Sequence, residues 1–144
     1  MDDFMQAAIA EAKQGLQEGG IPIGSVLVQQ GKIIGRGHNQ RVQQGNPILH
    51  AEIDCLSNAG RIGSYADTVL YSTLMPCYLC AGAVVQFGIK KVIAGESQTF
   101  AGARAFMESH GVEVIDLNLE VCQQMMADFI TQHPRLWFED IGKL

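Results

Sequence analysis

The sequence predicts an α/β fold, with one mixed sheet of five strands and helices on both faces, a three-layer α/β/α sandwich. Three observations carry that reading. The chain has 144 residues and 15.6 kDa, so a single domain over 1–144 is expected. Apolar residues make up 47% and charged residues 17%, too apolar for a disordered chain and enough to bury a sheet on two sides. A hairpin-like segment is followed by alternating helical and strand-like segments, without repeat, linker or low-complexity tract.

Residues 2–18 read as an amphipathic helix. Phe4, Ala8, Ile9, Ala12 and Leu16 recur at helical spacing, Asp2 or Asp3 can cap it, and Gly19-Gly20 stop it. Strands follow at 23–28 and 32–37, joined at Gln29-Gln30-Gly31 by hairpin turn chemistry. Residues 39–49 read as a polar loop around Gly45-Asn46-Pro47. A second helix spans 50–59 and ends at Gly60; residues 68–73 form a short apolar strand, placed centrally. Pro76 suits the first turn of a third helix, which runs to Phe87-Gly88. Strands at 91–94 and 112–117 enclose a helical stretch at 103–109, and a last long helix spans 118–132 until His133-Pro134 end it. The late strand-helix-strand unit predicts parallel neighbours joined by a right-handed crossover.

Charge narrows the partners. Fifteen acids against ten bases give a formal charge of −5 and a pI near 5.2. Such a chain has no general attraction for phosphate backbones or anionic lipid. Lys90-Lys91 is the only adjacent basic pair. No apolar run approaches the roughly 18 residues of a membrane span, and Met1-Asp2-Asp3-Phe4 carries acids where a secretory signal carries positive charge. The expectation is a cytoplasmic protein with neither nucleic acid nor membrane as partner. In a reducing compartment, the close pair among Cys55, Cys77, Cys80 and Cys122 points to metal or redox chemistry before a structural bridge.

Two short motifs carry the chemistry: His50-Ala51-Glu52 and Pro76-Cys77-Tyr78-Leu79-Cys80. By composition alone, about 0.2 H-x-E and about 0.003 P-C-x-x-C matches are expected by chance. Each opens a predicted helix. Cys77 and Cys80 are three apart, so on a helix they share a face and can grip one ion. A helix N-terminus also favours their thiolates. With His50 as nitrogen donor they make a three-ligand zinc set, and a catalytic zinc site keeps its fourth position for water. Two residues apart on a helix means roughly 200°, so His50 and Glu52 can both face the ion only at the first turn. Off the metal, Glu52 can move a proton between water and a ring nitrogen. The alternatives are a thioredoxin-like redox pair, or a closed structural zinc site with Cys55 as fourth ligand. Cys55 and Cys122 otherwise read as small core residues. His38, His110 and His133, at element ends, read as surface or capping residues.

H-x-E paired with P-C-x-x-C is a signature of zinc nucleobase deaminases. The sequence resembles the fungal-type cytosine deaminases within the cytidine and deoxycytidylate deaminase superfamily. The likeness runs from Glu18-Gly19-Gly20-Ile21-Pro22-Ile23-Gly24 through Gly35-Arg36-Gly37-His38-Asn39 and His50-Ala51-Glu52. It continues in Thr73-Leu74-Met75-Pro76-Cys77, Gly95-Glu96, Phe100 and Trp137-Phe138-Glu139-Asp140-Ile141-Gly142. The resemblance implies a cytidine deaminase-like five-stranded sandwich, a homodimer, and one zinc ion per chain held by His50, Cys77 and Cys80, with Glu52 as proton shuttle. It also implies that Asn39 reads the pyrimidine edge, that Asp140 holds the leaving amino group, and that Ile23, Phe100 and Trp137 wall the base under a C-terminal lid. Ala51 stands where the family's yeast member has Gly, and Met75 where it has Ser; the family uses the backbone N–H and C=O at these two positions. The implied reaction is hydrolysis of free cytosine to uracil and ammonia, with 5-fluorocytosine also accepted.

Rival readings keep the chemistry and change the substrate to guanine, a nucleoside or tRNA adenosine, or keep the zinc and drop the chemistry in a silent dimerisation module. Four acids against two bases between 117 and 144 disfavour a polyanion. Apolar Trp137, Phe138 and Ile141 can dock a terminus that would otherwise fray.

Overall fold

The computed structural model describes residues 2–144. In chain order the elements are α1 (Asp3–Gln17), β1 (Gly24–Gln29), β2 (Lys32–His38), α2 (Arg41–Gln44), α3 (Ala51–Ala59) and β3 (Thr68–Ser72). Then come α4 (Tyr78–Phe87), β4 (Lys91–Ala94), α5 (Arg104–Ser109), β5 (Glu113–Asp116), α6 (Glu120–Gln132) and α7 (Pro134–Asp140). The sheet order is β2-β1-β3-β4-β5. β1 pairs antiparallel with β2 and β3, and β3-β4-β5 run parallel. The five-stranded mixed sheet and the central place of β3 are those the sequence predicts.

Alternation along the strands builds two cores. Successive strand residues point to opposite faces. Leu27, Leu70, Val92 and Val114 meet Leu56, Val84 and Met107 of α3, α4 and α5. Val26, Val28, Tyr71 and Ile93 meet Met5, Ala8 and Ile9 of α1 and Cys122 of α6. Helices therefore cover both faces. The β1–β2 turn puts Gln30 at φ 52° and Gly31 at φ 76°, the two left-handed residues that a tight hairpin requires. Asp2 caps α1, its carboxylate accepting the Phe4 N–H at 2.7 Å.

Four local expectations change. The polar loop at 39–49 contains the single turn α2, which has no buried residue and so no apolar periodicity to announce it. Pro76 lies ahead of α4 rather than in its first turn; Cys77 is the N-cap, and the Pro76 carbonyl instead accepts the Ala103 N–H at 2.9 Å. α6 starts at Glu120, because Asn118 is left-handed at φ 51°. Pro134 does end α6, but it also opens α7, since its missing N–H costs nothing in a first turn.

A third cluster positions the site. Ile21 and Ile23 before β1, Ala51 at the start of α3, Leu74 after β3, Met126 and Phe129 of α6, and Trp137 of α7 pack together. No helix among the described residues is long and apolar enough to cross a membrane.

Candidate active site

Two helix starts face one another. His50 is the N-cap of α3 and Cys77 the N-cap of α4, and neither side chain caps its own helix. They turn toward each other instead, with His50 Nδ1 3.4 Å from Cys77 Sγ. Cys80, one turn into α4, completes a group whose donor atoms all lie within 4.8 Å of one another. The segment after β3 holds this approach: Thr73 N–H donates to Gly24 O at 3.0 Å and Met75 N–H to Glu96 O at 2.9 Å.

The electrostatics suit a thiophilic cation. The hydrogen bond from Cys80, helped by His50, outweighs burial and brings the Cys77 thiol down to about 4. Cys80 donates that bond from a buried position, and its own thiol is pushed well up. Burial pulls the His50 imidazole down, but Cys77 and the Asp140 carboxylate prevail and raise it to about 9. The residues present fit a zinc ion. They offer two sulfurs and one imidazole nitrogen, all within 4.8 Å of one another, a donor set of the kind that a tetrahedral zinc ion takes. Among the described residues, no fourth His, Cys, Asp or Glu joins the group. Cys55, the conceivable fourth ligand, is instead fully buried in the α3–α5 core, where burial pushes its thiol up to about 12.

Beside these donors lies a cavity of about 20 Å³, room for roughly one water molecule. Its polar wall is Asn39, His50, Glu52, Cys77 and Asp140. Its apolar wall is Ile23, Phe100 and Trp137, with Ala51 and Met75 between; the Phe100 and Trp137 rings meet edge-on at 6.0 Å. Glu52, in the first turn of α3, is 4% exposed. Burial first, then the negative Cys77, raises its carboxyl to about 7. Asp140 is raised by burial, against the pull of His50 and Arg41. Its Oδ2 accepts Asn39 Nδ2 at 2.9 Å and its Oδ1 lies 3.6 Å from His50 Nε2. Arg41 reaches Glu139 at 3.8 Å, so α7 is tied down along one side of the cavity.

All the site residues that the sequence singled out come together here. Each lines the cavity except Cys80, which is fully buried. Leu74 and Ile141 also line it and were missed, although both sit inside motifs that carry the resemblance. Arg41 was missed with α2. His38 is corrected: it is 6% exposed, lying between Glu11 and Glu18 rather than at the surface, because α1 crosses the end of β2. His110 and His133 are exposed at helix ends, as read. Cys122 is buried.

Residues 1–96 match the family model of the cytidine and deoxycytidylate deaminase zinc-binding region. The chain is 43% identical to a cytosine deaminase of Candida albicans, over 96% of this chain and 95% of that one. It is 39% identical to a tRNA-specific adenosine deaminase of Streptococcus pyogenes, over 86% of this chain and 80% of that one. Among solved structures, guanine deaminase from Bacillus subtilis is similar with a TM-score of 0.64 and 32% identity, over 76% of this chain and 73% of that one.

Proposed function

The chain belongs to the cytidine and deoxycytidylate deaminase family and is a deaminase; from that premise we propose that it hydrolyses free cytosine to uracil and ammonia. The observation that carries the reading is the small cavity in which Glu52, Asn39 and Asp140 share a wall with His50 and Cys77. A zinc ion held by His50, Cys77 and Cys80, one per chain, would supply a Lewis acid that makes water a stronger acid and nucleophile near neutral pH. Glu52 accepts a proton from the attacking water and passes it to ring nitrogen N3. The water oxygen adds to C4. Glu52 carries the second proton to the exocyclic amine, the C4–N bond breaks, and ammonia departs against Asp140. Asn39, with both a donor and an acceptor, matches the amide-like ring edge. Trp137, Phe100 and Ile23 sandwich the base and exclude water. A benzene-sized ligand occupies a cavity of about 150 Å³, so α7 acts as a lid that must yield for a base to enter. A substituent as small as fluorine at C5 leaves the reacting amidine intact, and 5-fluorocytosine is also a substrate.

The reading extends to one domain over the whole chain and to a homodimer. The apolar groove between α3 and α4 favours a second copy: Leu79 and Phe87, which line it, are 44% and 49% exposed. A Phe87→Glu variant is expected to sediment as a monomer where the wild type sediments as a dimer.

The decisive experiment is an ammonia-release screen over cytosine, 5-methylcytosine, cytidine, guanine, adenine and isocytosine, with zinc analysis of the same sample. Cytosine is expected to lead. Guanine or cytidine in first place would reassign the substrate, and a zinc-loaded protein that releases ammonia from none of them would be a silent module. Glu52→Ala is expected to retain zinc and lose turnover by roughly 10²–10⁴-fold; a loss smaller than tenfold would refute the shuttle.

A further inference from the structure

Outside the cavity, a cluster of charged groups surrounds His38, the last residue of β2 and the neighbour of Asn39. Its ring nitrogens face two carboxylates: Nδ1 lies 2.9 Å from Glu11 Oε1, and Nε2 lies 2.9 Å from Glu18 Oε1. A carboxylate only accepts hydrogen bonds, so both nitrogens must donate, and only the imidazolium carries both protons. The neutral ring would turn one lone pair toward a carboxylate oxygen. α1 makes room for the ring through Gly15, where a Cβ would come within 3.1 Å of His38 Cδ2.

The charged groups around the ring come from three sides. Glu11 and Glu18 belong to α1 and its C-cap. Arg36 of β2 donates to Glu11 Oε2 at 2.8 Å. Asp54 of α3 accepts the His38 N–H at 3.1 Å. From the side of α2 come two neutral amides, Gln43 donating to Glu18 Oε1 at 3.2 Å and Gln40 donating to Asp54 Oδ2 at 3.0 Å. Asp54 thereby grips the residues on either side of Asn39. The Asn39 N–H is itself fixed on Ile23 O at 3.0 Å.

We propose that His38, strapped as an imidazolium between Glu11 and Glu18, is a positioning residue that holds Asn39 in place for base binding from outside the cavity. The inference rests on the reading of Asn39 as a contact to the base. Burial works against charge on His38, but the two carboxylates outweigh it and raise its pKa above the ordinary 6.5. A histidine raised on folding keeps its clamp intact below its unfolded pKa and loses it as pH rises through the folded one. KM for cytosine therefore rises on that alkaline limb, while kcat does not follow it.

The test measures pH profiles of KM and kcat in the zinc-loaded enzyme, together with an NMR titration of the His38 ring. The variants are Glu18→Gln, at the exposed end of α1, and Asn39→Ala. Glu18→Gln is expected to lower the pKa of the ring and to move the KM limb to lower pH by the same amount, with kcat at neutral pH within about twofold of wild type. Asn39→Ala is expected to raise KM and abolish the limb. A wild-type ring that titrates at its ordinary value, or one that Glu18→Gln does not move, overturns the clamp. A ring that moves while the KM limb stays in place leaves His38 purely structural. Wild-type KM in Asn39→Ala overturns the reading of Asn39 and this inference with it. A raised KM with the limb still present overturns this inference alone.

Discussion

Met75 serves the pocket and the core with one side chain. It is 1% exposed and packs in the cluster that holds Leu27, Val92 and Met107, while one edge lines the cavity. A Cβ on Gly102 would fall 2.7 Å from its Cγ, so the space around it is filled. Met75→Ser would leave a void and bury a hydroxyl. Truncating a buried Met costs about 2–5 kcal/mol, and a loss of that order is expected as a lower urea midpoint at unchanged m. An unchanged midpoint would mean that the core closes over the gap. At this scale the sequence was informative wherever one residue type does chemistry that few others can. A cysteine pair, an imidazole and a carboxylate at fixed spacing leave little choice of role. His38 was opaque for the opposite reason: its partners Glu11 and Glu18 lie 27 and 20 positions away, and nothing in the spacing announces them.

Among the elements, those with a strong period were legible. α1 shows its apolar stripe and its cap, and β1 to β5 show their alternation or apolar runs. The two helices without such a signal were not. α2 is four residues long with nothing buried, and α7 is seven, well short of what forms a helix unaided. α7 owes its helix to docking. Trp137 is 5% exposed among Phe129, Leu74 and Ile23, and Asp140 and Glu139 reach Asn39 and Arg41 beside the cavity. Trp137 is thus expected to be both strut and lid. Trp137→Ala should destabilise by about 3–5 kcal/mol and raise KM for cytosine at least tenfold. Zinc content should be untouched, because the proposed donors sit at the starts of α3 and α4. Calorimetry, steady-state kinetics and metal analysis on one sample check all three, and a wild-type KM would remove α7 from the binding site.

The whole molecule decides between substrates that the reacting atoms alone do not separate. The proposed mechanism asks the same of a zinc ion and of Glu52 whether the ring is free cytosine or a base within tRNA, and the chain is similar both to a cytosine deaminase and to a tRNA-specific adenosine deaminase. What differs is the rest of the ligand. A polynucleotide brings phosphates, and this chain meets them with a net charge of −5 and with Trp137 and Asp140 of α7 in the cavity wall. Binding through several phosphates loses about 10³–10⁵ in affinity between about 50 and 200 mM salt, because cations are released from the polyanion. Free cytosine is uncharged and releases none. Over the same salt interval, kcat/KM for cytosine is therefore expected to change by less than about twofold, and excess tRNA is expected not to inhibit at low salt. Inhibition by tRNA that fades as salt is added would show that the acidic surface hides a polyanion site, and would move the substrate from the base to the nucleic acid.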